Sequence, residues 1–126
     1  MAIGHDWRMR KLIQANLEAF GLEVHGAVNG RHGLHLLEKQ TPDLILLDTD
    51  VPDMEATHLL ERLQDPLAGQ VPIIVITAEP PSRRLDQNWH AVSYLLKPFA
   101  VRTLLERVGQ ALGGMPENKE PTAQDG

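Results

Sequence analysis

The chain has 126 residues, 42% hydrophobic and 23% charged, which suits one globular domain with a single buried core and little else. No apolar run approaches the roughly 18–20 residues needed to cross a bilayer, and no signal-peptide core follows Met1. The absence of cysteine excludes disulfides, thiolate metal sites and thiol nucleophiles. The formal net charge of −5 argues against direct binding to nucleic acid, so the expectation is a cytoplasmic domain with no membrane or nucleic-acid contact of its own.

Ala2 to His5 reads as a short first strand. Met9, Leu12, Ile13, Leu17 and Phe20 then recur at helical spacing, predicting a helix over about residues 7 to 20 that Gly21 ends. Leu22 to Val28 alternates imperfectly, as a half-exposed edge strand would. Asn29 can cap a second helix running to about Gln40, with Leu34 and Leu37 inward and Gly33 weakening it. Leu44-Ile45-Leu46-Leu47 is a continuous apolar run stopped by Asp48, the mark of a strand covered on both faces.

A third helix carries Ala56, Leu59, Leu60 and Leu63 on one stripe, and Asp65-Pro66 closes it. Ile73 to Ile76 repeats the doubly buried pattern and ends at Thr77. Between Pro80 and His90 only Leu85 and Trp89 recur at helical spacing, which gives a short fourth helix. Val92-Ser93-Tyr94-Leu95-Leu96 is a strand ending at Lys97-Pro98, and Val101, Leu104, Leu105, Val108 and Leu112 mark a last helix. A strand followed by a helix, five times over, predicts an α/β fold of the flavodoxin-like (βα)5 kind. Its doubly wound parallel five-stranded sheet would have strand order 2-1-3-4-5. Residues 1–112 form the domain, and the polar stretch 113–126, broken by Gly and Pro, reads as a tail or linker.

Open parallel sheets build their sites at the carboxyl ends of the strands. Here those ends carry His5-Asp6, Asp48, Thr77 and Lys97, a set suited to phosphoryl transfer. Asp48 is the candidate nucleophile. Asp6 and Asp48 are candidate oxygen ligands for Mg²⁺, and Thr77 and Lys97 can engage phosphoryl oxygens. Singly, each has a plainer reading as turn former, strand end or solvated lysine. Together at successive strand ends they outweigh it.

Pro42-Asp43-Leu44-Ile45-Leu46-Leu47-Asp48 with Val51-Pro52-Asp53-Met54 resembles the phosphoacceptor segment of bacterial response-regulator receiver domains of the chemotaxis CheY type. Val71 to Ala78 resembles their threonine strand, and Tyr94-Leu95-Leu96-Lys97-Pro98-Phe99 their lysine strand, over about residues 3 to 112. The resemblance implies a domain that is not itself an enzyme. It would take a phosphoryl group from a histidine kinase or phosphotransfer protein onto Asp48, with Mg²⁺ held by Asp6, Asp48 and the Asp50 backbone carbonyl. Thr77 and Tyr94 would then switch a surface for a downstream effector domain or protein. A homodimer through the face of the fourth helix, fifth strand and fifth helix is a further expectation, as is a cis Lys97-Pro98 peptide.

The sequence departs from the family in several places. His5-Asp6 stands where two adjacent acids are usual, with Asp6 matching the second, and Asp50 is a candidate replacement carboxylate. Trp7-Arg8 replaces an acid and a proline, so Trp7 is expected near the site as reporter or cover. Glu55-Ala56 stands where Asp-Gly is common, and Pro80-Pro81 begins the fourth-helix segment. His5, Asp50 and Glu79 are expected to tune metal affinity and phosphoryl lifetime. Two rivals follow: a pseudo-receiver that binds proteins without phosphorylation, and a haloacid-dehalogenase-like phosphatase, whose signature Asp48-Thr49-Asp50-Val51 also fits.

Overall fold

Alternation of side chains along the central strands gives the molecule two cores, one on each face of its sheet. The computed structural model describes residues 1–67, 70–78 and 92–113. Chain order runs β1 (Ala2–Ile3), α1 (Trp7–Glu18), β2 (Gly26–Ala27), α2 (Gly30–Lys39), β3 (Ile45–Asp48), α3 (Ala56–Leu67), β4 (Ile73–Thr77), β5 (Val92–Leu96) and a C-terminal helix, Val101–Ala111. All strand pairs are parallel, in the order β2-β1-β3-β4-β5 that the strand–helix alternation predicts.

Ile45, Leu47, Ile73 and Val75 project to one face, where Leu59, Leu60 and Leu63 of α3 bury them and Leu34 and Leu37 of α2 pack alongside. Leu46, Ile74, Ile76 and Leu95 project to the other and meet Ile13 and Leu17 of α1 with Leu104 and Val108 of the C-terminal helix. Removing each such side chain from water contributes about 1.5–3 kcal/mol. A strand buried on both faces has no room for polar residues until its end. That is why β3 reads as an apolar run and delivers Asp48 as its last residue.

Several boundaries differ from the sequence expectation. Helix α1 stops at Glu18, and of its predicted apolar face only Ile13 and Leu17 are buried, while Leu12 and Phe20 are exposed. Only Gly26–Ala27 of the predicted second strand pairs with β1, itself two residues long. Pro66 lies inside the last turn of α3 rather than closing it. So near the helix end, its missing N–H removes a single helical bond. The expected fourth helix, with Leu85 and Trp89, and the tail after Gly113 lie outside the described residues.

Gly33, which weakens α2 as an isolated helix, earns its place in the packing. A Cβ there would stand 2.6 Å from Ile3 Cδ1, so glycine is what lets α2 lie against β1. Asn29 caps α2 as expected, its Oδ1 accepting the His32 N–H at 2.8 Å.

Candidate functional site

Strand register sets the rim of the sheet level by level. Leu47 pairs with Val75, Asp48 with Ile76 and Thr77 with Leu96, so Asp48, Thr77 and Lys97 emerge together at the carboxyl end of β3, β4 and β5. Backbone bonds continue past the strands: Thr49 N–H donates to the Ile76 carbonyl at 3.0 Å, and Lys97 N–H to the Thr77 carbonyl at 2.8 Å. The Lys97-Pro98 peptide is cis, as the family resemblance implies.

Asp48 is the one charged residue in the described core, 3% exposed. Its burial is compensated. Lys97 Nζ donates to Oδ1 at 2.9 Å and to Oδ2 at 3.1 Å, and the Asp50 N–H donates to Oδ1 at 2.9 Å. Oδ1 therefore carries two of these bonds and Oδ2 one. The lysine side chain is 26% exposed, so the pair is not sealed from solvent. Thr77 is half-buried at the end of β4, and Tyr94 is half-buried against the α2–α3 core.

The β1 side of the rim is different. His5 Nδ1 lies 2.6 Å from the Asp50 carbonyl oxygen, and since a carbonyl can only accept, Nδ1 carries the proton. Asp6 is the N-cap of α1, its carboxylate accepting the Arg8 N–H at 3.0 Å. Asp6 and Asp48 border one crevice of only about 10 Å³, and Arg10 lines it too. Trp7 opens α1, is 59% exposed, and has the Arg8 guanidinium 5.5 Å from its ring centroid. Glu79 lies outside the described residues.

Sequence reasoning missed three participants. Arg10 donates to the Gly4 carbonyl and so holds the turn after β1. The Asp53 carboxylate accepts the N–H groups of Gly30 and Arg31, each at 2.9 Å, tying the loop after β3 to the N-terminus of α2. The Arg31 N–H above all holds the Asp53 carboxyl below its ordinary value, against the raising effect of desolvation and with help from the Gly30 N–H. Arg107 of the C-terminal helix donates to the Tyr94 carbonyl. Asp53 was visible only as part of a motif, and neither arginine carries any local sequence signal.

The family model for the response regulator receiver domain matches residues 3–109. The chain belongs to this family. It is 33% identical to the DNA-binding dual master transcriptional regulator RpaA of Synechocystis, over 86% of this chain and 46% of that protein. It is 31% identical to the transcriptional regulatory protein SrrA of Staphylococcus aureus, over 99% of this chain and 54% of that one. The receiver thus spans about half the length of the curated relatives it matches. Among solved structures, a CheY-like receiver domain protein from Methanospirillum hungatei superposes with a TM-score of 0.80 at 28% identity, covering 89% of this chain and 90% of that one.

Receiver domains of this family typically use Mg²⁺, and the donors present here do not fit such an ion. Among the described residues no three His, Cys, Asp or Glu side chains are grouped to share a cation. Asp6 serves the helix cap, the Asp50 carbonyl takes the His5 N–H, and both Asp48 oxygens face Lys97. Mg²⁺ demands a near-octahedral set of oxygens, and here Asp6 and Asp48, which border one small crevice, are both already engaged.

Proposed function

We propose that this receiver domain accepts a phosphoryl group on Asp48 from a phosphohistidine of a histidine kinase or phosphotransfer protein. The observation that carries the reading is the buried Asp48 carboxylate held by Lys97 through both oxygens at the carboxyl rim of a parallel sheet. Oδ2, with one of these bonds against two on Oδ1, is the attacking oxygen. It forms the new P–O bond as the donor's P–N bond breaks, and the electron pair leaves on the imidazole nitrogen, which takes a proton from water. Lys97 moves from Oδ2 to a phosphoryl oxygen, offsetting the charge that repels a carboxylate from a phosphate. Thr77 donates a hydrogen bond to a second phosphoryl oxygen.

The consequence for output runs through β5. Thr77 and Leu96 are paired across β4 and β5, and Tyr94, two residues before Leu96, is bound through its carbonyl to Arg107 of the C-terminal helix. A shift of Thr77 toward the phosphoryl group biases Tyr94 and that helix between two arrangements read by an effector domain or a second copy. Residues 1–112 would constitute the switch and 113–126 the tail or linker. Family and strand order leave the phosphatase reading without support. The pseudo-receiver shares this fold, so chemistry decides it. Incubation with acetyl phosphate, read by intact mass, is expected to add one phosphoryl group to the wild type and none to Asp48→Asn. A wild type that stays unmodified in both Mg²⁺ and Mn²⁺ would overturn the acceptor reading.

A further inference from the structure

The first strand carries the rest of the rim, and its register is decisive. Ile3 is paired with Leu47, so the next residue, Gly4, comes level with Asp48. It also lies on the same face, since a Cβ on Gly4 would stand 3.0 Å from Asp48 Cβ. The residue at the end of β1 that stands against Asp48 is therefore Gly4, which has no side chain, and His5 follows it. Asp6 falls one residue further on, where its carboxylate caps α1. The turn is clamped at both ends, with the Gly4 carbonyl held by Arg10 and the His5 imidazole by the Asp50 carbonyl at 2.6 Å. Asp6 would have to serve a cation alongside the cap it makes through Oδ1, and the Asp50 carbonyl alongside the imidazole N–H.

We propose that His5 is a specificity-determining residue that closes the acceptor rim to divalent cations. Its Nδ1–H occupies the Asp50 carbonyl, the clamped turn keeps Asp6 on α1, and Asp48 is left with Lys97 as its counter-charge. This rests on Asp48 being the acceptor and adds that the neighbourhood of Asp48 holds Mg²⁺ weakly because of one side chain. Replacing the imidazole by a carboxylate at the same position removes the competing donor and adds an oxygen ligand beside Asp48. Second-layer partners of this sort commonly change metal affinity by about 10–100-fold.

The test is a MgCl₂ titration of the ¹⁵N-labelled full chain, following the amide resonances of Gly4 and Asp50 in wild type, His5→Asp, His5→Ala and Asp6→Ala. His5→Asp is expected to reach its midpoint at a concentration at least about tenfold below wild type. His5→Ala, which frees the carbonyl without adding an acid, should fall between them, and Asp6→Ala should match the wild type. A wild-type midpoint equal to that of His5→Asp, a His5→Ala midpoint no lower than wild type, or a large loss of affinity in Asp6→Ala would each overturn the proposal. Acetyl phosphate labelling of wild type and His5→Asp at saturating Mg²⁺ is read separately. If both stay unmodified the acceptor reading fails, while the midpoints still judge the role of His5.

Discussion

The two halves of the rim differ in how they are built and in what they carry. On one side β3, β4 and β5 are four or five residues long, and β3 and β4 are buried on both faces up to Asp48 and Ile76. They end in the acid, hydroxyl and ammonium of Asp48, Thr77 and Lys97. On the other, β1 and β2 are two residues long, and the turn after β1 presents Gly4, an exposed imidazole and a helix-capping aspartate. Chemistry survives where the core dictates the backbone. A side chain at the end of a doubly buried strand has its position over-determined by packing, whereas the short edge pair is held by a few polar clamps. Asp48, Thr77 and Lys97 thus occupy the half that packing fixes, and the departures nearest Asp48, His5-Asp6 and Trp7-Arg8, fall in the half that packing controls least.

Mutations that test this contrast should differ in size between the halves. Leu47→Ala, which empties a fully buried position one residue before Asp48, is expected to cost about 3 kcal/mol in urea unfolding. Next comes Lys97→Met, which strips the counter-charge from a carboxylate only 4% exposed. It should cost about 2 kcal/mol, less than a fully enclosed pair because the lysine reaches solvent. His5→Ala removes one hydrogen bond at an exposed site and should cost no more than about 0.5 kcal/mol. Equal losses for Lys97→Met and His5→Ala would break the comparison, since the two halves would then share the load.

The same contrast explains how much was legible beforehand. The strand order, the Asp48–Thr77–Lys97 rim, the cap at Asn29 and the cis Lys97-Pro98 peptide follow from local patterns: apolar runs, a capping side chain, a motif. What could not be read was register. Asp6 looks like a metal ligand in one dimension because it sits next to the end of a strand. Only the pairing of Ile3 with Leu47 makes Gly4 the residue level with Asp48 and leaves Asp6 two residues beyond it, capping α1. Arg10 and Arg107 were invisible for a related reason, since each bonds a backbone carbonyl that another element presents. Gly33 was read as a cost to α2 when its value lies across the interface, at Ile3.

That interface yields a sharper test. Gly33→Ala improves helix propensity by about 1 kcal/mol but drives a Cβ into Ile3, an overpacking cost of about 1–3 kcal/mol. A net loss of about 1 kcal/mol is expected in the wild-type background. In Ile3→Val, which lacks the Cδ1 atom nearest the new Cβ, the same change should be neutral within about 0.5 kcal/mol. Additivity of the two substitutions would mean that α2 is not seated on β1 through this contact.

Asp53 links the halves, and removing that link should give an effect as small as that of His5→Ala. Its carboxylate joins the loop that carries Asp50 to the first N–H groups of α2, which in turn rests on β1. Asp53→Asn keeps the shape but turns an N–H₂ toward donors, and at an exposed helix terminus should cost about 0.5 kcal/mol. The folded-state carboxyl lies below its ordinary value of 3.8, so the bonds favour the charged form. Their stabilisation is complete above the unfolded value and is lost as pH falls through the folded one. The difference between wild type and Asp53→Asn should therefore hold from about pH 5 to 8 and close below about pH 4. Hydrogen exchange supplies the decisive reading. If Asp53→Asn speeds exchange both at Gly30 and Arg31 and at Asp50, the two halves communicate through this carboxylate. Faster exchange confined to α2 would show that the acceptor loop is held from β3 alone, and that the rim's two sides are mechanically independent.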